Sequence, residues 1–362
     1  MYTDIATPYV TIDMDIVDSN IHKMLDTVER YGIRHRPHIK THKSSFIAKK
    51  QLEAGCCGIT CAKLSEAEVM AKHGITDILI AFPIIGSLKL ERLGKLIGIA
   101  DIKTIVNSLE GAKGLSNLGV EIGKIISVYI EIDGGLNRGG VLPGIPTLEF
   151  AESIRDLPNL TIDGLMYYGG TIYAENSQEE IIRKSRQERD DLVMTQKLLC
   201  SHGFSIKVLS TGSSYSSRNA QYLEGVTEVR AGNYVFNDAS TLWPGLVKLK
   251  DCALSVWSTV VAKPDTNTLI IDAGSKTLTS DTGAFTKGYG YIVGHEDFQL
   301  FKLNEEHGFV RTTGPTNLTI GDVLQIIPNH SCVIPNLNWH VYAVIDGKIE
   351  HQIQIEARGM NV

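Results

Sequence analysis

From about Ile16 to Phe236, short runs of apolar, β-rich residues alternate with longer stretches in which apolar residues recur every three or four positions. The first pattern predicts strands and the second amphipathic helices, so the segment reads as repeated βα units around a parallel sheet. Eight strands are predicted, at residues 35–40, 58–62, 78–82, 102–106, 126–132, 162–168, 206–210 and 227–231. Helices are predicted between them, among others at 16–31, 45–54, 65–73, 147–156 and the long charged stretch 178–200. Gly32, Gly55, Gly74 and Gly203 follow the last periodic residues, where a left-handed cap is least costly without a side chain. Eight such units over about 220 residues match a closed (β/α)8 TIM barrel in both count and length, with an open doubly wound sheet as the alternative.

Beyond Phe236 the helical period is lost. Predicted strands at 253–261, 268–272, 308–312, 323–327 and 341–345 are joined by turns such as Asp346-Gly347, where positive φ is readily adopted. This reads as an antiparallel β domain, entered near Trp243-Pro244-Gly245. The expected division is a barrel at 15–240 and a β domain at 241–362, with residues 1–14 packing against the latter. No internal repeat or low-complexity segment interrupts either part.

Composition removes several classes of function. A chain of 362 residues with 43% hydrophobic and 21% charged residues is ordinary for a globular protein and too apolar for disorder. A net charge of −6 and a pI near 6.0 argue against a nucleic-acid partner, which would call for a basic face. No run of about 18 apolar residues occurs, and residues 1–10 lack the pattern of a signal peptide. A cytoplasmic protein with no membrane partner is therefore expected. The six cysteines have neither disulfide-framework nor zinc-knuckle spacing, and Cys56, Cys57 and Cys61, in and before a buried strand, read as core residues.

Chemistry concentrates in Arg36-Pro37-His38-Ile39-Lys40-Thr41-His42-Lys43, at the end of the first predicted strand. Neighbouring cations and dehydration would lower the pKa of Lys40, and such an amine can form a Schiff base. The competing reading is a solvated basic loop. His38 and His42 have the spacing of a helical metal pair, but Pro37 denies them the helix, so they are read as site-lining or packing residues. In a barrel, catalytic groups gather at the C-terminal strand ends, and phosphate sits on the loops after strands seven and eight. There the chain places Ser210-Thr211-Gly212-Ser213-Ser214 and Arg230-Ala231-Gly232-Asn233-Tyr234. An imine-forming lysine with a phosphate cradle points to pyridoxal 5'-phosphate. His330 and Cys332, one residue apart, would share a face of an extended segment and could both reach one metal ion. Asp272-Ala273-Gly274-Ser275 reads either as a turn or as part of a site.

Arg36 to Lys43 resembles the RPHxKTHK signature of the D-serine dehydratase and D-threonine aldolase family, pyridoxal-phosphate enzymes with a barrel similar to the N-terminal domain of alanine racemase. The resemblance continues at Glu131 to Gly140, Arg230 to Asn237, Glu305 to Gly308 and Pro328 to Cys332, and covers nearly the whole chain. It implies that Lys40 carries the cofactor, with Lys43 as a structural cation, and that Arg138 meets the phenolic oxygen of the ring. Arg230 would face the pyridine nitrogen and Tyr168 the ring, while Thr211, Gly212, Gly232 and Asn233 would bind the phosphate. Lys40 and Tyr168 are then the candidate catalytic residues. His330 and Cys332 would hold a divalent metal. Dehydratase members carry His-x-Cys with zinc, whereas aldolase members resemble His-x-Asp with manganese or magnesium; Cys332 thus inclines the reading toward the dehydratase. The implied activity is that of a lyase on small D-β-hydroxy amino acids, and the implied assembly is a homodimer. An amino-acid racemase and a non-catalytic pyridoxal-phosphate carrier are the alternatives.

Overall fold

The protein is described by a computed structural model covering residues 5–362. It divides into two compact units. One comprises residues 23–40, 45–232 and 360–362. The other comprises residues 5–22, 41–44 and 233–359.

The first unit carries eight parallel strands. Around the sheet they run Arg34–His35, Glu228–Val229, Val208–Thr211, Leu160–Tyr168, Ile126–Asp133, Asp101–Val106, Asp77–Pro83 and Ile59–Cys61. A parallel bridge between His38 and Thr60 joins the first strand in sequence to the second and brings the sheet round on itself. Each of the eight strands overlaps a predicted run, and the fold is the expected barrel. The helices include Ser45–Glu53, Leu64–Lys72, Ile145–Ile154 and Gln178–Ser201. Ser177 begins the last of these by accepting the N–H of Glu180 at 3.2 Å. Gly32, Gly55, Gly74 and Gly203 all have positive φ, between 69° and 121°, as left-handed caps require.

One correction concerns the first strand. Residues 35–40 do not form a continuous strand; only Arg34–His35 pairs regularly, and Ile39–Thr41 is a 3-10 turn that holds Lys40. Main-chain hydrogen bonds continue past Pro37, from the Arg36 N–H to Val229, the Thr60 N–H to Pro37 and the His38 N–H to Ala231, and end where Ile39–Thr41 turns into the 3-10 helix.

Within the barrel, Leu79, Ile105, Tyr129 and Met166 form one buried apolar cluster. Beside it lies a buried polar chain. Arg36 Nε donates to Glu228 Oε2 at 2.8 Å and Ser210 Oγ to Glu228 Oε1 at 2.8 Å, while Arg230 Nη1 donates to Ser210 Oγ at 2.8 Å. A charge removed from water must be paired in this way to be tolerated.

The second unit is built on a nine-stranded, mostly antiparallel sheet. The long strand Leu254–Asp265 pairs with Thr268–Ile271, Val323–Pro328 and the N-terminal strand Tyr9–Asp13. Tyr9–Asp13 pairs on its other side, in parallel, with His340–Ile345, which turns through Asp346-Gly347 into Lys348–Gln354. Both turn residues have positive φ, 48° and 71°, as the sequence predicts. Leu254, Val256, Leu269, Ile271, Ile326 and Val341 are fully buried and supply this unit's core. No helix among the described residues is long and apolar enough to cross a membrane.

Candidate active site and metal centre

Because the eight strands are parallel, everything that directly follows a strand lies at one end of the barrel. Lys40 sits in the turn after the first strand, Arg138 in the loop after Ile126–Asp133, and Tyr168 ends Leu160–Tyr168. Thr211 ends Val208–Thr211 and Arg230 directly follows Glu228–Val229. The fold thus gathers at one end residues spread over 190 positions, from 40 to 230.

Lys40 is exposed, while its neighbour Ile39 is fully buried and anchors the turn. The dehydration expected of the amine is absent: the side chain projects from a turn rather than from a strand packed on both faces. Lys43 has φ 50° and is 5% exposed, and its carbonyl accepts the N–H of Ala357 at 3.0 Å; it is a structural residue. His42 is fully buried, accepts the N–H of Ser44 at 3.2 Å and meets the Phe236 ring edge-on, so it packs. His38 is half-buried at the strand bridge.

The Arg138 guanidinium lies 4.7 Å above the ring of Tyr168. A cation over an aromatic face fixes the orientation of both. Asp133 shapes the loop that carries Arg138, accepting the N–H of Gly135 at 2.9 Å and of Asn137 at 3.3 Å. A Cβ on Gly134 would lie 2.2 Å from the Tyr168 carbonyl oxygen, so only glycine lets this loop pass the neighbouring strand. Arg230 is 6% exposed and donates to Ser210 Oγ and to the Tyr167 carbonyl, each at 2.8 Å. Burial lowers its pKa, opposed by the carboxylates of Glu228, Glu188 and Glu131.

After the seventh strand, Gly212 has φ 88°, and a Cβ there would lie 2.7 Å from Ser217 Oγ and from Val229. Ser213 Oγ accepts the N–H groups of Tyr215 and Ser216, each at 3.1 Å. Ser217 Oγ is fully buried and has no hydrogen-bond partner. A glycine open to close approach and an orphaned hydroxyl suit an anion such as phosphate. Behind this turn lies a residue the sequence reading gave no role. Glu188, from the helix Gln178–Ser201, is 2% exposed and accepts the Thr211 hydroxyl at 3.0 Å. Burial pushes its carboxyl up to about 7, against the hydrogen bonds of Thr211, Ser216 and the Gly212 N–H. A carboxyl that keeps its proton to neutral pH limits repulsion of a phosphate.

In the second unit, His330 and Cys332 are brought to one cluster. His330 Nδ1 lies 3.5 Å from Asp238 Oδ2, and Cys332 Sγ lies 3.0 Å from the hydroxyl of Thr41, the residue that follows Lys40 in the chain. Asn233 belongs to the same cluster, donating to Asp238 Oδ2 at 2.5 Å and to Ser331 Oγ at 3.1 Å. The Cys332 thiolate pushes His330 up to about 11, against burial. Burial raises the Cys332 pKa, but the His330 imidazolium outweighs it and holds the thiol below its usual range. A thiolate and an imidazole together form a donor set suited to a borderline-soft divalent metal. Among the described residues no group of three or more His, Cys, Asp or Glu side chains is arranged to hold a metal.

Asp272 is structural: its Oδ1 accepts Ser258 Oγ at 2.7 Å and the Thr259 N–H at 2.8 Å. None of the six cysteines is in a disulfide. Cys56 and Cys61 are buried, and burial raises the Cys56 thiol pKa, which fits the core reading.

Comparison with known proteins identifies the family. Residues 12–240 match the alanine racemase N-terminal domain, and residues 253–345 match the putative serine dehydratase domain. D-threonine aldolase of Arthrobacter sp. is 33% identical over 99% of this chain and 94% of its own length. The crystal structure of D-threonine aldolase from Filomicrobium marinum superposes with a TM-score of 0.92 at 27% identity, covering 99% of this chain and 97% of that one. A cysteine-to-alanine variant of D-threo-3-hydroxyaspartate dehydratase, solved in the metal-free form, is 31% identical with a TM-score of 0.87, covering 97% of this chain and 98% of that one.

Proposed function

The chain belongs to the D-serine dehydratase and D-threonine aldolase family, and from that premise we propose a pyridoxal-phosphate- and metal-dependent lyase that acts on D-amino acids bearing a β-hydroxyl. The observation that carries the reading is the convergence of Lys40, Tyr168, Thr211, Gly212 and Arg230 at one end of the barrel. When bound, pyridoxal phosphate supplies an electron sink for charge developing at Cα, and a divalent metal supplies a Lewis acid for the β-hydroxyl.

The residues of this chain do the rest. Thr211, Gly212, Gly232 and the main chain of Asn233 would bind the phosphate, Arg138 would offer a rigid fork of donors to the phenolic oxygen, and Tyr168 would face the ring. Arg230, permanently charged, hydrogen-bonds the pyridine nitrogen without giving it a proton. Lys40 Nζ would hold the cofactor, and the same amine, when unbound and neutral, would take the proton from Cα. His330 and Cys332 hold the metal, and their nitrogen and sulfur donors favour zinc over manganese or magnesium.

Removal of the α-proton with loss of the β-hydroxyl as water leaves an enamine, which a water molecule hydrolyses to a keto acid and ammonia. Removal of the hydroxyl proton, with cleavage between Cα and Cβ, gives glycine and an aldehyde. Cys332 favours the first, dehydratase outcome. The reading includes a homodimer and a cytoplasmic location, to which six cysteines without a disulfide are suited.

The test incubates the purified protein with D-serine, D-threonine and D-3-hydroxyaspartate, with and without a chelator, and identifies the keto acid, aldehyde or glycine released. The proposal expects turnover of a D-isomer that the chelator abolishes. Turnover of L-isomers alone, or turnover indifferent to chelator as in a racemase, contradicts it.

A further inference from the structure

Asp238 entered no part of the sequence reading, yet its carboxylate is fully buried, and its contacts run to the segment around His330 and Cys332, to Asn233 and to the turn it begins. Oδ2 accepts the main-chain N–H of Ser331 at 2.8 Å and the Asn233 amide at 2.5 Å, and lies 3.5 Å from His330 Nδ1. Oδ1 accepts the Ser240 hydroxyl at 2.6 Å. Among the described residues no lysine or arginine forms an ion pair with it; the one basic group it faces is His330. A carboxylate removed from water is costly unless hydrogen bonds and an opposing charge compensate. Here those bonds hold the peptide that spaces His330 from Cys332, and the carboxylate they anchor lies against the His330 imidazole.

An imidazole facing a carboxylate through Nδ1 carries its proton there and leaves Nε2 with a free lone pair. Outer carboxylates use this geometry to set the tautomer and ring orientation of metal-binding histidines. We propose that Asp238 is a positioning residue for the metal centre, holding His330 with its proton on Nδ1 and Nε2 as the ligand, and fixing through the Ser331 N–H the separation of His330 from Cys332. The inference rests on the reading that His330 and Cys332 bind metal, and it assigns the device that orients them.

Asp238→Asn isolates the role. Its carbonyl oxygen can take the place of Oδ2 toward Ser331 and His330, while its NH2 faces Ser240, whose hydroxyl can turn to accept. The hydrogen bonds survive and the charge is lost. Ser240→Ala is the control, since it touches the same carboxylate on the other oxygen.

Zinc affinity is measured by competition with a chromogenic chelator on protein stripped of metal, alongside the melting temperature of the metal-free form. The expected result is zinc binding 10–100-fold weaker in Asp238→Asn, with Ser240→Ala within about twofold of wild type and the metal-free melting temperatures equal. Equal zinc affinity in Asp238→Asn and wild type overturns the role of Asp238 and leaves the metal site standing. A wild-type chain that binds no zinc overturns the site and this inference with it. Should the asparagine variant fail to fold, nitrogen-15 NMR of zinc-loaded wild type decides: coordination of His330 through Nε2 supports the proposal, and coordination through Nδ1 overturns it.

Discussion

Replacing Glu228 by alanine removes the centre of the polar chain inside the barrel. Glu228 is fully buried and accepts from Arg36 Nε and from Ser210 Oγ, both at 2.8 Å; Ser210 in turn holds Arg230 at 2.8 Å. Without the carboxylate, Arg36 keeps only Asp77, at 2.7 Å, a residue 42% exposed and shared with Lys103. Arg230 keeps the Tyr167 carbonyl, and the Ser210 hydroxyl loses its acceptor. Breaking a buried pair by removing one partner costs about 3–5 kcal/mol, because the charge left behind stays desolvated. For a unit of this size each kcal/mol is worth roughly 2–4 °C, so the melting temperature should fall by about 6–20 °C. Glu228→Gln, which keeps an acceptor for Ser210, should lose less. Urea unfolding at pH 7 gives the free energies, and an alanine variant within about 1 kcal/mol of wild type would refute the claim that this chain is a structural necessity of the barrel.

Glu188 makes a pH prediction. Its carboxyl, raised by burial to about 7, retains in the folded chain a proton that the unfolded chain gives up near its ordinary value, so stability falls as pH rises through that window. The decline attributable to Glu188 is up to about 3 kcal/mol, and Glu188→Gln should remove it, the two proteins converging below about pH 4. Melting curves of both between pH 4 and 8 that stay parallel would count against it. Gly212→Ala should cost about 1–3 kcal/mol, since φ is 88° and the new methyl would meet Ser217 and Val229 at 2.7 Å. It should also loosen retention of pyridoxal phosphate on dialysis; an unchanged melt with unchanged retention contradicts the tight turn. Cys332→Ala should keep the bound chromophore and lose turnover, whereas loss of colour would place Cys332 at the cofactor rather than at a metal.

The barrel was legible because its strands announce themselves locally, as apolar runs between amphipathic helices. Its first strand was overextended because its residues allow β structure; the chain keeps main-chain hydrogen bonds as far as His38 and then coils into the 3-10 turn Ile39–Thr41. The second unit was read less completely. Tyr9–Asp13 owes its place to partners near residues 257 and 342, a pairing with no trace in its own sequence. Gly290–Ile292 has three residues, and Lys348–Gln354 exposes most of its side chains, so neither shows a period. Lys40, Arg138 and Arg230 stand out as cations beside glycine or proline at strand ends. Glu188 and Asp238 do not, because their partners are remote and polar. A signal did exist for Glu228: it stands two residues from Arg230 in a strand, hence on the same face, and an acid and a base sharing a buried face imply pairing.

The central claim is that Lys40 is the amine that carries pyridoxal phosphate. Reducing the loaded protein with borohydride fixes the cofactor to whichever amine holds it, and peptide mass mapping locates the label. The account predicts a single modified peptide with the mass increment on Lys40. A label on Lys43 or any other lysine, or no label at all, contradicts it.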